Sequence, residues 1–264
     1  MKTLRSWLAV SHISFKNTLT YRFNMIFYTI GTIMQLLLML AVWSALDSQG
    51  SLTDELSFSK MVTYSVLAFS LNIAFSVFYI YGYLTDIIRK GDLAMELVRP
   101  IDFLVNLLFR YLGFTFFRAG FLAIPFSIIS AFVLGIQLPT TPALVAYFAL
   151  SVVLAYLIHY LIFLLFAFLT FISLDNSGIF LTFLSISSLF SGLYVPFWLF
   201  PTWLRNVAEF LPFKAVYFTP ISVYMGSLDP LEALAFQGTW LVILVFATIL
   251  FWRFMMRRVV VQGG

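Results

Sequence analysis

The chain has no cysteine. Disulfides, thiolate catalysis and Cys-ligated metal sites are therefore excluded, although the redox compartment stays open. Charge is also scarce: Asp, Glu, Lys and Arg make up 10% of the 264 residues, where a soluble domain carries about 25%. Apolar residues fill the difference at 62%, against about 45–50% in soluble domains. That balance defines an integral membrane protein. No stretch is long and polar enough for a separate soluble domain. Neither internal repeats nor low-complexity linkers are evident, and 1–264 reads as one domain.

Chemistry-bearing motifs are lacking too. There is no G-x-x-x-x-G-K-[ST] phosphate loop, so the chain does not bind ATP by that route. His12 and His159 are the two histidines, far apart and without a carboxylate at ligand spacing. His159, in LIHYLIF, reads as a core histidine bonded to a neighbour. No Ser–His–Asp set, nucleophile elbow or paired-aspartate motif occurs, so no catalytic residue and no metal site is expected. No apolar run has an acidic residue near its centre, which a proton-coupled carrier usually needs. The net charge of +4 could suggest nucleic acid, but the charges cluster at the ends of apolar runs, as topology signals do. Nucleic acid is not an expected partner.

The apolar runs are what the chain does have. Six are expected to span the membrane as helices: 24–46, 60–84, one within 103–134, one within 143–172, about 177–198 and about 233–255. Each supplies the roughly 20 apolar residues that a hydrocarbon core of about 30 Å requires. The first follows a polar lead with no small-residue cleavage motif, so it reads as a retained span and not as a signal peptide. Trp43 is expected at the membrane interface, and Asp47 to Ser59 form a short loop with Asp54 and Glu55. In the lead, residues 1–22, Leu4, Leu8, Phe15 and Leu19 recur at helical spacing. This predicts an amphipathic helix on the inner surface.

Orientation follows from Lys and Arg. With both termini cytoplasmic, the inner side holds Lys2, Arg5, Lys16, Arg22, Arg89, Lys90, Arg99, Arg110, Arg118, Arg253, Arg257 and Arg258. The outer side holds Lys60, Arg205 and Lys214. Arg118 falls inside the third run, where a buried arginine is a functional candidate. The reading favoured here is snorkelling or pairing near the inner boundary, with Asp175 in the SLDNSG turn as partner.

Two stretches break the apolar texture. Residues 85–102 carry Asp86, Arg89, Lys90, Asp92, Glu96, Arg99 and Asp102, seven of the 26 charged residues. Ile87, Leu93 and Leu97 are spaced so that one helical face could dock on a partner. The second stretch, 191–226, holds Pro196, Pro201, Pro212 and Pro220, four of the nine prolines. Proline breaks helices, so one straight span is excluded. Trp203, Leu204, Val207, Phe210 and Leu211 face away from Arg205, Asn206 and Glu209. This predicts short helices that dip into the outer leaflet and return, covered by protein or lining a cavity.

The stretches IRKGDLAMELVRP at 88–100, SGLYVPFWLFPTWL at 191–204 and LPFKAVYFTPISVYMG at 211–226, with the amphipathic lead, resemble the permease subunits of type-2 ABC exporters. The resemblance covers essentially the whole chain and is closest to a bacterial branch of that class. It implies an all-α polytopic fold with six transmembrane helices, an N-terminal interfacial helix corresponding to the class's connecting helix, and re-entrant outer helices between spans 5 and 6. It implies a contact with a separate ATP-binding subunit through Ile88, Arg89, Lys90, Asp92, Leu93, Glu96 and Arg99. It further implies an outer re-entrant gate within 196–230 that includes Pro196, Pro201, Trp203, Pro212, Phe213 and Pro220. ATP and Mg would sit on the partner, leaving this chain without a cofactor. A second permease chain, identical or sister, would complete the pathway in a bacterial inner membrane. The 32 Phe suit an amphipathic or apolar cargo. The alternatives are a secondary carrier and a membrane-embedded lipid-modifying enzyme.

Overall fold

The computed structural model describes residues 2–20, 22–50, 57–99, 101–172 and 177–257. Among these the fold is all-helical, with no strand. In chain order the helices are α1 (Lys2–Thr20), α2 (Arg22–Ser48), α3 (Phe58–Ala74), α4 (Val77–Lys90), α5 (Leu93–Leu97) and α6 (Phe103–Arg118). They continue with α7 (Ile124–Leu134), α8 (Pro142–Ala167), α9 (Ser177–Phe190), α10 (Thr202–Glu209), α11 (Phe218–Tyr224) and α12 (Pro230–Met256). Asp54, Glu55 and Asp175 lie outside the described residues.

Among the described residues five stretches are long and apolar enough to cross a membrane: Met25–Ser48, Phe58–Lys90, Phe103–Leu134, Pro142–Phe171 and Pro230–Met256. The expected fifth span, 177–198, takes a different form. Its helix α9 has 14 residues, a length of about 21 Å at 1.5 Å per residue. The chain then turns at Gly192, whose φ is 78°. Tyr64 of α3 fixes this turn by donating its hydroxyl to the Gly192 carbonyl, and a Cβ at Gly192 would lie 2.6 Å from that hydroxyl. The apolar run goes on past the turn, which is why composition alone lengthens the span. Short as it is, α9 covers much of the bundle's depth. Phe180 near its start stacks on Tyr81 of α4 at 3.7 Å between ring centroids, and Gly192 beyond its end meets Tyr64.

Two of the long stretches are not regular α-helices. Between α3 and α4, Phe75 and Ser76 adopt extended backbone, with ψ of 99° and 113°. Between α6 and α7 the backbone widens into a π-helical turn, Ala119–Ala123, just ahead of Pro125. A proline inside a helix has no N–H to give and its ring crowds the carbonyl four residues earlier. A local widening of the turn relieves both.

The lead helix forms, but α6 holds it. Trp7 stacks on Phe109 at 5.6 Å and Phe15 meets Phe117 edge-on at 5.3 Å, so α1 and α6 run side by side in the same direction. Ser14 Oγ donates to the Arg110 carbonyl at 2.7 Å. Between these aromatic contacts the face of α1 turned to α6 is small and polar, with Ser11 and Ser14, while Leu8, Ile13 and Leu19 are exposed. Small residues let helix backbones approach closely, and Gly113 marks the closest point: a Cβ there would fall 2.0 Å from the Ser11 carbonyl oxygen. Trp43 departs from expectation as well. It is buried, with Nε1 donating to Ser65 Oγ at 2.9 Å, because an indole N–H away from water needs a partner within the protein.

Gly113→Ala is expected to force α1 off α6 at a cost of about 1–3 kcal/mol, the range for overpacking. Leu8→Ala on the exposed face should change stability by less than about 0.5 kcal/mol. Thermal unfolding in detergent checks both, and an unchanged midpoint for Gly113→Ala would contradict the close packing.

Candidate functional site

The charged stretch begins as the last turns of α4 and then reverses. Gly91, at φ 76°, closes α4 with its N–H reaching the Ile87 and Ile88 carbonyls, a left-handed cap that glycine adopts without a Cβ penalty. Arg89 and Lys90 in the last turn of α4 complement the negative end of the helix dipole. Asp102 then caps α6, accepting from the Val105 N–H at 2.9 Å. Among the described residues two ion pairs frame the corner: exposed Lys90 with exposed Asp86 at 3.3 Å, and exposed Arg99 with the largely buried Glu96 at 3.0 Å.

The predicted docking face splits in two. Ile87 and Leu93 are buried and Ile88 packs against the core, so these residues anchor the corner to the chain's own bundle. Met95, Leu97 and Val98 are the exposed apolar groups, Val98 at 85%. A five-residue helix between a glycine cap and an aspartate cap thus presents an apolar tip among Arg89, Lys90, Asp92, Glu96 and Arg99. Such a surface can dock a partner; it carries no reaction.

Arg118 is buried at 3% exposure. Its Nε donates to the Ile73 carbonyl. In an unbroken helix that carbonyl would accept from residue 77, but the extended Phe75–Ser76 pair takes that donor away. The guanidinium lies 4.4 Å from the Tyr28 ring centroid and 5.5 Å from that of Phe114, a favourable position for a cation on aromatic faces. The described partners of Arg118 are therefore a backbone carbonyl and aromatic rings, and the expected partner Asp175 lies outside the described residues.

The segment from Pro196 to Tyr224 follows its prolines. Pro196 and Pro201 directly precede helical turns starting at Phe197 and Thr202, Pro212 opens the turn Pro212–Ala215, and Pro220 sits in the first turn of α11. These are places where a missing N–H costs little. In α10, Trp203, Val207 and Phe210 are exposed while Ala208 is buried, and Arg205 pairs with Glu209 at 3.1 Å. Phe213 meets Phe183 of α9 edge-on at 5.8 Å. The following helix, α11, is buried. A residue that sequence reasoning passed over secures this arrangement. Gln237 of α12, fully buried, donates to the carbonyls of Ser151 at 3.1 Å and Ala215 at 2.9 Å, and accepts from Ser151 Oγ at 2.8 Å. A lone glutamine in an apolar span was the available signal, since its polar groups need partners there.

A cavity of about 330 Å³ opens between α2, α3, α8, α9 and the proline-bearing segment. His159 lines it and accepts or donates at Nδ1 to the Tyr111 hydroxyl, 2.9 Å away, which fits the core reading for that nitrogen. Asn72, also lining it, accepts from the Tyr217 hydroxyl at 3.3 Å. Among the described residues no group of three His, Cys, Asp or Glu could hold a metal ion.

Several apolar helices of spanning length define a multi-pass membrane protein. The family model of the ABC-2 family transporter proteins matches residues 29–263, nearly everything after α1. The chain belongs to that family and is an ABC-2 type permease, a membrane component of transport. No curated protein and no solved structure matches it.

Arg118→Met should leave the Ile73 carbonyl without its donor, at about 1–3 kcal/mol for a buried group left unpaired. Arg205→Met, on exposed α10, should stay within about 0.5 kcal/mol of the parent. Thermal unfolding separates the two, and equal midpoints would remove Arg118 from the support of the helix break.

Proposed function

We propose that this permease is the transmembrane subunit of an ATP-driven exporter, coupled at residues 88–99 to a separate ATP-binding subunit that holds ATP and Mg. The observation that carries the reading is the corner itself. It is fixed from within by Leu93 and Gly91 and turned outward through Met95, Leu97, Val98 and a ring of charges. A force applied there enters α4 directly, because no flexible linker intervenes.

The remaining parts fit the same reading. Two such chains, identical or sister, would line the pathway together. The segment 196–230 would dip into the outer leaflet through Trp203, Val207 and Phe210 and cap the exit, with Pro196, Pro201, Pro212, Phe213 and Pro220 shaping it. The 14 apolar-rich residues of α9, with Phe180 on Tyr81 and Gly192 beyond its end on Tyr64, support reading it as a sixth passage, which would put both termini on the side of Arg89, Lys90 and Arg253. The excess of positive charge would make that side cytoplasmic in a bacterial inner membrane.

The double variant Arg89→Glu/Lys90→Glu and the single variant Val98→Glu should each lower transport and permease-stimulated ATP hydrolysis at least ten-fold, with membrane insertion unchanged. Leu93→Arg is a poorer probe because Leu93 is buried in the chain's own core and its loss disturbs the corner. Reconstituted ATPase assays check this, and normal stimulation by all the exposed-site variants would refute the coupling assignment.

A further inference from the structure

Neither the inner corner nor the outer cap accounts for the cavity between α2, α3, α8 and α9. We propose that it binds an uncharged, hydroxyl-rich head group, a sugar or polyol, at membrane depth. The proposal needs the spanning fold and is independent of the ATP-binding partner.

At about 330 Å³ the cavity lies at the lower end of the range for ligand sites. Its chemistry is unusual for its place. Gln35 of α2, Asn72 of α3, His159 of α8 and Ser188 of α9 converge there with Tyr194 and Tyr217. Asn72 and Tyr217 bond to each other and His159 to Tyr111, but six polar side chains from separate segments around one void still leave donors and acceptors to offer an occupant. Amides and hydroxyls each donate and accept, as do the hydroxyls of a polyol. The rings of Tyr194 and Tyr217 add flat faces beside them.

Charge decides the class of ligand. Among the described residues no Asp, Glu, Lys or Arg lines the cavity, and an ion brought here would lose its hydration without a charged lining group to pair with, a penalty of several kcal/mol. Arg118 stands behind Tyr28, with its Nε committed to the Ile73 carbonyl. His159 lines the cavity with its ring held at Nδ1 by Tyr111, and the residue is 1% exposed. Gln35 is exposed and Ser188 half-buried, so the mouth lies between α2 and α9.

The head group could come from a free saccharide or from a glycolipid, and one experiment separates them. The full chain in phosphatidylcholine nanodiscs is titrated with methyl glucoside, or prepared with glucosyl diacylglycerol, diacylglycerol or phosphatidylglycerol, and its thermal unfolding is followed. Ligand that binds only the folded state raises the midpoint. The expected result is a rise with methyl glucoside, with glucosyl diacylglycerol or with both, and none with diacylglycerol or phosphatidylglycerol. Gln35→Leu and Ser188→Leu, at the mouth where folding is least at risk, should weaken the apparent affinity at least ten-fold. No rise with either sugar probe, a rise only with the charged lipid, or unchanged affinity in both variants would overturn the proposal. Loss of ATPase coupling in the corner variants has no bearing on this result.

Discussion

The structure depends on a backbone carbonyl that must not be left unpaired in hydrocarbon. In lipid every N–H and C=O has to be satisfied from within the protein, yet the second span opens at Phe75 and Ser76. Arg118 closes the account at Ile73, and the rings of Tyr28 and Phe114 shelter its charge. The break gives α4 a direction of its own, and with it the inner corner. It also leaves Asn72, just ahead of the gap, facing the cavity beside Tyr217. Remove that pairing and the span either straightens or keeps a buried carbonyl unpaired.

That span also joins the two ends of the molecule. One end carries Gly91 and the anchored corner; the other carries Tyr64, which fixes the turn at Gly192 and touches Trp198 and Phe218 of the proline-bearing segment. From the other side, Gln237 ties that segment to α8 and α12. In the proposed mechanism, motion delivered at Met95 and Val98 passes along α4 to the break and from there reaches both the cavity and the outer cap. The helix break and the adjoining π-helical turn are where such motion can be taken up, because the regular hydrogen-bond ladder is already interrupted there.

Much of this was legible in the chain. Apolar length marked six spans, of which five are long helical stretches in the structure, the lead's periodicity gave a helix, the cluster of charges marked the corner, and four prolines fell where helices begin. What escaped has a common cause: it is decided by distant partners. NIAFSVF contains neither proline nor glycine, and only Arg118, far along the chain, makes its break tolerable. The run after Ser177 stays apolar past Gly192, so its turn depends on Tyr64. Ile87, Leu93 and Leu97 share a spacing, but Gly91 reverses the chain between them and sends two inward and one outward. Trp43 and Gln237 found partners inside the bundle that no local pattern reveals.

The most direct measurement uses the absence of native cysteine. A single Val98→Cys variant, expressed in its native membrane, is treated with a short thiol-to-amine crosslinker, purified in mild detergent and analysed by mass spectrometry. The account predicts an ATP-binding subunit joined at residue 98, with a cysteine placed instead at Val242 on exposed α12 giving no such adduct. A corner that captures no ATP-binding protein, or captures it no better than Val242→Cys does, would contradict the central claim.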